Sequence, residues 1–284
     1  MSTSNQTFKE YSFQYHGEVY AILENVFAKK GITYYLIGAN ARDVHLYKEG
    51  IKPNRGTADI DFAIMIPDFD VYNALFDELC TLGFRKVNEP YRLVFDKTNT
   101  VLDLMPYGQI EEEYTLNFTE RAVSLSVLGF KEVGEHIQNV EIPEEGYIIP
   151  VTPIEGIFIL KLVSWQDKPS FRTKDLDDLS FLLKHAWEIY EEEAYIDHLD
   201  LFDDENFDMQ TAAAKIIGKK MAVILAENQT LFDTITSILK EGILDDGKAK
   251  NTELNMAQNL DITIVKAKTI LSYILQGINY KSKA

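Results

Sequence analysis

The sequence predicts an α/β (α+β) fold: a small mixed sheet with helices over residues 1–150, followed by a helical domain over residues 151–284. Three observations lead there. Up to about Val151, short β-branched and aromatic runs alternate with amphipathic stretches and turn residues. Beyond it, the apolar spacing is helical throughout. A chain of 284 residues also exceeds the usual size of one domain and can bury a substantial core.

The elements follow in order. Residues 1–14 look loosely held. "EVYAILENVFAKKG" carries helical spacing and ends in Lys-Lys-Gly, a stop signal. "ITYYLIGA" (Ile32 to Ala39) reads as a strand and "NARDVHLYKEG" as a short helix. "TADIDFAIMI" is the second strand. An amphipathic helix over "DFDVYNALFDELCTLGF" has Asp68 or Asp70 as its cap and Gly83 as its stop. "YRLVFD" and "TVLDLMPYG" are strands joined by the turn "KTNT", and a β-rich stretch continues to about residue 150. The second domain opens with Thr152 as a cap, Pro153 in the first turn and Glu155 three residues after the cap. Helical patterns then cover "TPIEGIFILKLVSW", "TKDLDDLSFLLKHAWEIYEEE", "TAAAKIIGKKMAVILAEN", "TLFDTITSILKEGI" and "ELNMAQNLDITIVKAKTILSYILQGI".

Composition narrows the function. Hydrophobic residues make up 46% and charged residues 26%, an ordinary globular balance. The absence of a long uninterrupted apolar run excludes a helical membrane span. The start lacks the basic and apolar regions of a secretory signal, so a cytoplasmic location is expected. Cys80 is the single cysteine, which excludes a disulfide framework and suits a reducing compartment. The five histidines show no metal-ligand spacing. A net charge of -17 argues against a protein whose main task is gripping duplex nucleic acid, though a local basic patch remains compatible. Much of the acid lies in "EIYEEEAYIDHLDLFDDENFD", either a solvated helix end and loop or a docking surface for a basic partner.

Asp59 and Asp61 carry the chemistry. On a strand they point to one face, while Ile60, Phe62, Ile64 and Ile66 form the other. Neighbouring carboxylates repel and stay ionised together only beside cations. Magnesium or manganese answers that need, since carboxylate oxygens suit both ions. The plain alternative is an exposed strand edge with no function. A second apolar strand carries Asp103, in alternation with Val101 and Met105. Upstream, "YYLIGANARD" runs a strand into Gly38 and a helix start, where backbone N–H groups can meet an anion.

This order resembles the polymerase-beta-like nucleotidyltransferase superfamily, whose signature is a small-residue turn, then Asp-x-Asp, then a later Asp. Within it the sequence is most similar to the AbiEii/AbiGii-type toxin-like nucleotidyltransferases. "LIGANARD", "RGTADIDFAI" and "ILKLVSWQDKPSFRTKDLDDL" carry the similarity. Ala39 and Asn40 stand where the family has a second Gly, Ser or Thr, a departure that leaves room for a non-catalytic nucleotide-binding member.

The resemblance implies metal-dependent transfer of a nucleoside monophosphate from a nucleoside triphosphate (NTP) to an acceptor. Asp59, Asp61 and Asp103 would hold Mg2+ or Mn2+, and Asp103 would also take the acceptor's proton. Gly38, Ala39 and Asn40 would face the phosphates, with Asn40 offering its amide. Arg42 either pairs with phosphate or bridges to Asp43. Lys161, alone in an apolar helix, snorkels or meets an anion; the family pattern favours phosphate. Asp175 would belong to the active site and orient Lys161 or the base, and Lys174 would reach a phosphate. Asp178 reads as helix N-terminal chemistry. Lys52 and Arg55 touch the acceptor or are solvated, and Trp165 and Trp187 read as core. The implied partners are an NTP, an RNA, protein or small-molecule acceptor and an antitoxin protein, with no membrane. An antibiotic (aminoglycoside-type) nucleotidyltransferase is the competing enzyme.

Overall fold

The computed structural model describes residues 16–57, 59–142, 147–203, 205, 207–245 and 251–280; residues 1–14, expected to be loosely held, lie outside them. The chain divides into two compact units, 1–153 and 154–284.

The first unit runs α1 (Gly17–Lys30), β1 (Tyr34–Leu36), α2 (Gly38–Lys48), β2 (Asp59–Met65), α3 (Phe69–Thr81), β3 (Phe84–Lys86), β4 (Arg92–Phe95), β5 (Thr100–Tyr107), β6 (Thr115–Phe118), β7 (Val123–Ser126), α4 (Phe130–Gly134), β8 (Gln138–Ile142) and β9 (Tyr147–Val151). Seven strands form a mixed sheet in the order β3-β4-β5-β2-β1-β9-β8, and β6 and β7 form a separate pair. The parallel pairs are β2/β5 and β1/β9; β1 and β2 are antiparallel. Ile60, Phe62 and Ile64 are fully buried, and the rings of Tyr20, Phe27 and Tyr34 pack on Phe62. Burying this apolar face is what fixes the strand's register, and it leaves the odd-numbered aspartates on the opposite face.

Two boundaries differ from the sequence expectation. The first strand stops at Leu36, because Gly38 takes a left-handed φ of 69° and α2 starts there. Thr152 does not cap the next helix. Its hydroxyl donates to the Leu36 carbonyl at 2.7 Å and its N–H to the same oxygen at 3.0 Å, so it prolongs the β1/β9 pairing.

The second unit is helical: α5 (Ile154–Asp167), α6 (Thr173–Asp197), α7 (Met209–Leu225), α8 (Gln229–Ile243), α9 (Asn251–Leu260) and α10 (Ile264–Ile278). The last helical stretch, expected to be continuous, breaks between α9 and α10. Asp261 sits at φ 54°, and Thr263 caps α10 by accepting from Lys266 N at 3.2 Å. Gly218 on α7 and Gly277 on α10 bring those helices to backbone contact. A Cβ at Gly218 would lie 2.1 Å from the Ile274 carbonyl oxygen. The acidic stretch is partly neutralised within the fold. Lys219 meets Asp200 at 2.8 Å, Lys220 meets Glu193 at 3.0 Å and Lys266 meets Asp208 at 2.7 Å. Among the described residues, no helix is long and apolar enough to cross a membrane.

Candidate active site

The sheet register assembles the carboxylates. In the parallel β2/β5 pair, Asp61 lies opposite Asp103 and Asp59 opposite Val101. All three aspartates therefore share one face. Asp59 keeps a side chain about two-fifths exposed, whereas Asp103 is buried. Burial pushes the Asp103 carboxyl above the usual aspartate value, against the opposing pull of Arg92.

Arg92 is the site residue that the sequence reading missed. Antiparallel pairing of β4 with β5 sets Arg92 opposite Asp103. Its Nε donates to Asp103 Oδ1 at 2.7 Å and its Nη2 to Asp103 Oδ2 at 2.8 Å, a two-pronged fork. The same Nη2 reaches Asp59 Oδ2 at 3.5 Å. These bonds, Asp103 first, hold the guanidinium more firmly protonated than usual, with burial opposing.

The turn between β1 and α2 faces the same carboxylates. A Cβ at Gly38 would lie 2.5 Å from Asp61 Oδ2, so the backbone passes too close for any side chain there. The left-handed φ of Gly38 makes the same demand. Ile37 N donates to the Asp61 carbonyl at 2.9 Å and ties the turn to β2. No side chain caps α2, so its first N–H groups, from Gly38 through Asn40, have no partner from an N-cap side chain.

Two side chains of this turn point into the fold. The Asn40 side chain is fully buried and its amide donates to the Asp59 carbonyl, so it braces β2 instead of offering a donor to phosphate. Arg42 is also fully buried. Its Nε donates to Asp43 Oδ1 at 2.7 Å, and Nη2 reaches the Arg55 carbonyl at 3.4 Å. Of the two readings for Arg42, the bridge to Asp43 is the one observed. At the turn, only backbone groups of Gly38, Ala39 and Asn40 remain to meet an anion.

The other expected residues gather in the second unit. Lys161 Nζ donates to Asp175 Oδ1 at 3.0 Å and to Asp178 Oδ2 at 2.8 Å, and all three residues are buried. Burial alone would lower the lysine pKa; the two carboxylates outweigh it and raise it. Asp175 thus orients Lys161, and Asp178, expected at a helix end, is the second carboxylate of the cluster. Lys174 is exposed beside it. Trp165 is buried, and Trp187 packs against Tyr195 and Phe207.

The donor set was tested for a divalent cation. Among the described residues, no three acidic, histidine or cysteine side chains are arranged to hold a metal. Both Asp103 oxygens accept from Arg92. Asp59 and Asp61 lie as a pair on the same face as Asp103. That pair fits magnesium, which commonly binds through one or two carboxylates and completes its shell with water and substrate phosphates.

A strand-turn-helix whose first N–H groups have no side-chain cap faces paired aspartates and a third on the neighbouring strand. Residues 26–245 match the family described as "Nucleotidyl transferase AbiEii toxin, Type IV TA system". The match spans well over half of the chain, and the protein belongs to that family. No curated protein matches significantly. Among solved structures, the chain is similar to the solution structure of the antibiotic-resistance factor ANT(2'')-Ia. That likeness has 13% identity and a TM-score of 0.38, covering 67% of this chain and 96% of that one.

Proposed function

We propose that this nucleotidyltransferase moves a nucleoside monophosphate from an NTP to an RNA hydroxyl in a reaction that requires Mg2+ or Mn2+, and acts as the toxin of a toxin–antitoxin or phage-defence pair. The observation that carries the reading is the approach of Gly38 to Asp61. It brings N–H groups that no side chain caps against neighbouring carboxylates, an arrangement that suits a metal-bound triphosphate.

In this reaction an acceptor oxygen attacks the α-phosphorus, the bond to the β-phosphate oxygen breaks and pyrophosphate leaves. Asp59 and Asp61 would hold the cation, which would supply neutralisation of phosphate charge. Backbone N–H groups of Gly38, Ala39 and Asn40 bind the β- and γ-phosphates. Asp103 takes the acceptor's proton. A carboxylate has about four lone-pair positions, of which the Arg92 fork uses two. The raised carboxyl pKa makes Asp103 a better base than an ordinary aspartate. Lys161 is committed to Asp175 and Asp178 within the second unit.

For the acceptor, a cavity of about 320 Å³ supports RNA. Phe69, Tyr72, Phe76 and Phe118 line it, with Lys86, Arg92 and Arg121 against Glu89. Aromatic walls suit bases. The test incubates the protein with each α-labelled NTP, Mg2+, and separate pools of RNA, protein and aminoglycosides. Label is expected in the RNA pool and lost in Asp61→Asn. Label in the aminoglycoside pool would overturn the acceptor assignment. Absence of metal-dependent nucleotide binding would overturn the site.

A further inference from the structure

We propose that the exposed face at the C-terminal end of α6 is a docking surface for a lysine- or arginine-rich protein segment that also carries apolar anchor side chains. That face lies wholly within the second unit, and none of its residues is assigned to nucleotide transfer.

Three observations carry it. First, an aromatic platform stands open there. Tyr195 stacks on Phe202 with ring centroids 5.1 Å apart, and Phe202 stacks on Phe207 at 5.0 Å. Trp187 meets Tyr195 and Phe207 edge-on. The cluster is not sealed by the fold. Tyr195 is 54% exposed, Ile196 beside it 65%, and Leu199 in the turn that follows 62%. Rings already fixed by stacking lose little freedom when a partner covers them. Second, acids frame the platform. Helical spacing puts Glu188, Glu191 and Glu192 on the same face of α6 as Tyr195 and Ile196, and all five are exposed. Asp197 and Asp203 extend the negative rim. The lysines nearby are spent on Asp200, Glu193 and Asp208. Among the described residues, Glu191, Glu192, Asp197 and Asp203 make no ion pair. Third, this arrangement opposes the helix that carries it. Like charges three and four residues apart repel, and negative charge is unfavourable at a helix C-terminus. The last turn of α6 holds no basic residue to offset it. A cationic partner would remove that cost.

Charge also selects the occupant. RNA and anionic membrane surfaces are repelled by such a rim. A second copy docked by two-fold symmetry would set the acidic face against itself, in a chain of net charge -17. A basic protein segment answers both features. Its cations pair with the rim, and its apolar side chains cover Tyr195, Ile196 and Leu199.

The test is fluorescence anisotropy of the full chain with a labelled leucine–lysine peptide whose leucines fall on one helical face. Binding is expected, and is expected to weaken as salt rises. Ile196→Ser with Leu199→Ser is expected to weaken it about tenfold, and so is Glu191→Lys with Glu192→Lys. Val223→Ser with Val265→Ser removes side chains of similar exposure from α7 and α10 and is expected to bind as the wild type does. A lysine–serine peptide is expected to bind about tenfold more weakly, and a leucine–glutamate peptide not at all. The proposal is overturned by failure of the leucine–lysine peptide to bind, by equal binding of either control peptide, by unchanged binding in either α6 variant, or by an equal loss in the Val223/Val265 variant. Self-association abolished by the Ile196/Leu199 variant would give the face to a second copy and overturn it. So would peptide binding that emerges only after residues 1–15 are removed, which would give the face to the chain's own start. All substitutions are at exposed positions, and a thermal melt of each variant checks that it folds.

Discussion

Gly38→Ala separates backbone strain from damage to the site. The added Cβ would lie 2.5 Å from Asp61 Oδ2, about 0.9 Å short of the 3.4 Å at which ordinary contact begins. Asp61 is on the central strand β2, so its carboxylate must turn or the turn must retreat. A misplacement of about 1 Å in a reacting constellation costs roughly 10²-fold in rate. The backbone adds a separate term. At φ 69° an alanine costs about 1–2 kcal/mol of stability relative to glycine. Gly31→Ala isolates that second term, because Gly31 has φ 65° and a Cβ added there would meet nothing within 4 Å. Chemical denaturation of both variants is expected to show similar losses. Transfer of α-labelled nucleotide is expected to fall about 10²-fold in Gly38→Ala and to stay near wild type in Gly31→Ala. Near-normal transfer in Gly38→Ala, or an equal loss in Gly31→Ala, would refute the argument that this turn positions Asp61.

Three further outcomes follow from buried groups. Lys161→Ala leaves Asp175 and Asp178 without their shared cation and is expected to cost about 3–5 kcal/mol in urea unfolding; the triple variant Lys161→Met, Asp175→Asn, Asp178→Leu should recover most of it. Gly218→Ala drives a methyl into the Ile274 carbonyl and is expected to destabilise by about 3 kcal/mol, read as a lower thermal midpoint. His45 is held neutral, its pKa lowered to about 4 chiefly by burial, and its Nε2–H donates to the Thr152 carbonyl at 2.7 Å. Unfolding lets it take up a proton below about 6.5. Its stabilising contribution is therefore complete above that pH and shrinks as pH falls towards 4, by about 3 kcal/mol in all. Urea midpoints for His45→Gln are expected to fall less steeply with acid than those of the wild type.

The first unit was legible where a single periodicity governed the outcome. Asp59 and Asp61 shared a face because strands alternate, and the apolar residues between them needed a core. The side-chain directions of Asn40 and Arg42 were not legible for the opposite reason. A helix start tells which backbone groups are free, but the direction of each side chain depends on what lies beneath the helix. There the Asp59 carbonyl and the Asp43 carboxylate captured them. Asp178 looked like an end residue because helix-terminus preferences are local, whereas its partner, Lys161, lies 17 residues away on α5.

Arg92 was hidden only by an unfinished count. The strands "YRLVFD" and "TVLDLMPYG" and the turn between them are all visible in the sequence. Phe95 and Thr100 close the hairpin, and antiparallel pairing then steps outward one residue on each side. Val94 meets Val101, Leu93 meets Leu102 and Arg92 meets Asp103. Opposite charges at directly opposed positions attract, so the hairpin itself specifies the fork. An inserted residue in the "KTNT" turn would test this logic if it shifts the register of β4 by one. Leu93 would then face Asp103, and the buried carboxylate would lose its counter-charge while Arg92 moved to the apolar face. Both changes oppose folding, so the chain is expected to absorb the insertion as a bulge in the turn and keep the Arg92–Asp103 pair. A thermal midpoint near the wild type's in such a variant, lowered when Arg92→Gln is added, would show that the charge pair, and not turn length alone, sets the register at the site.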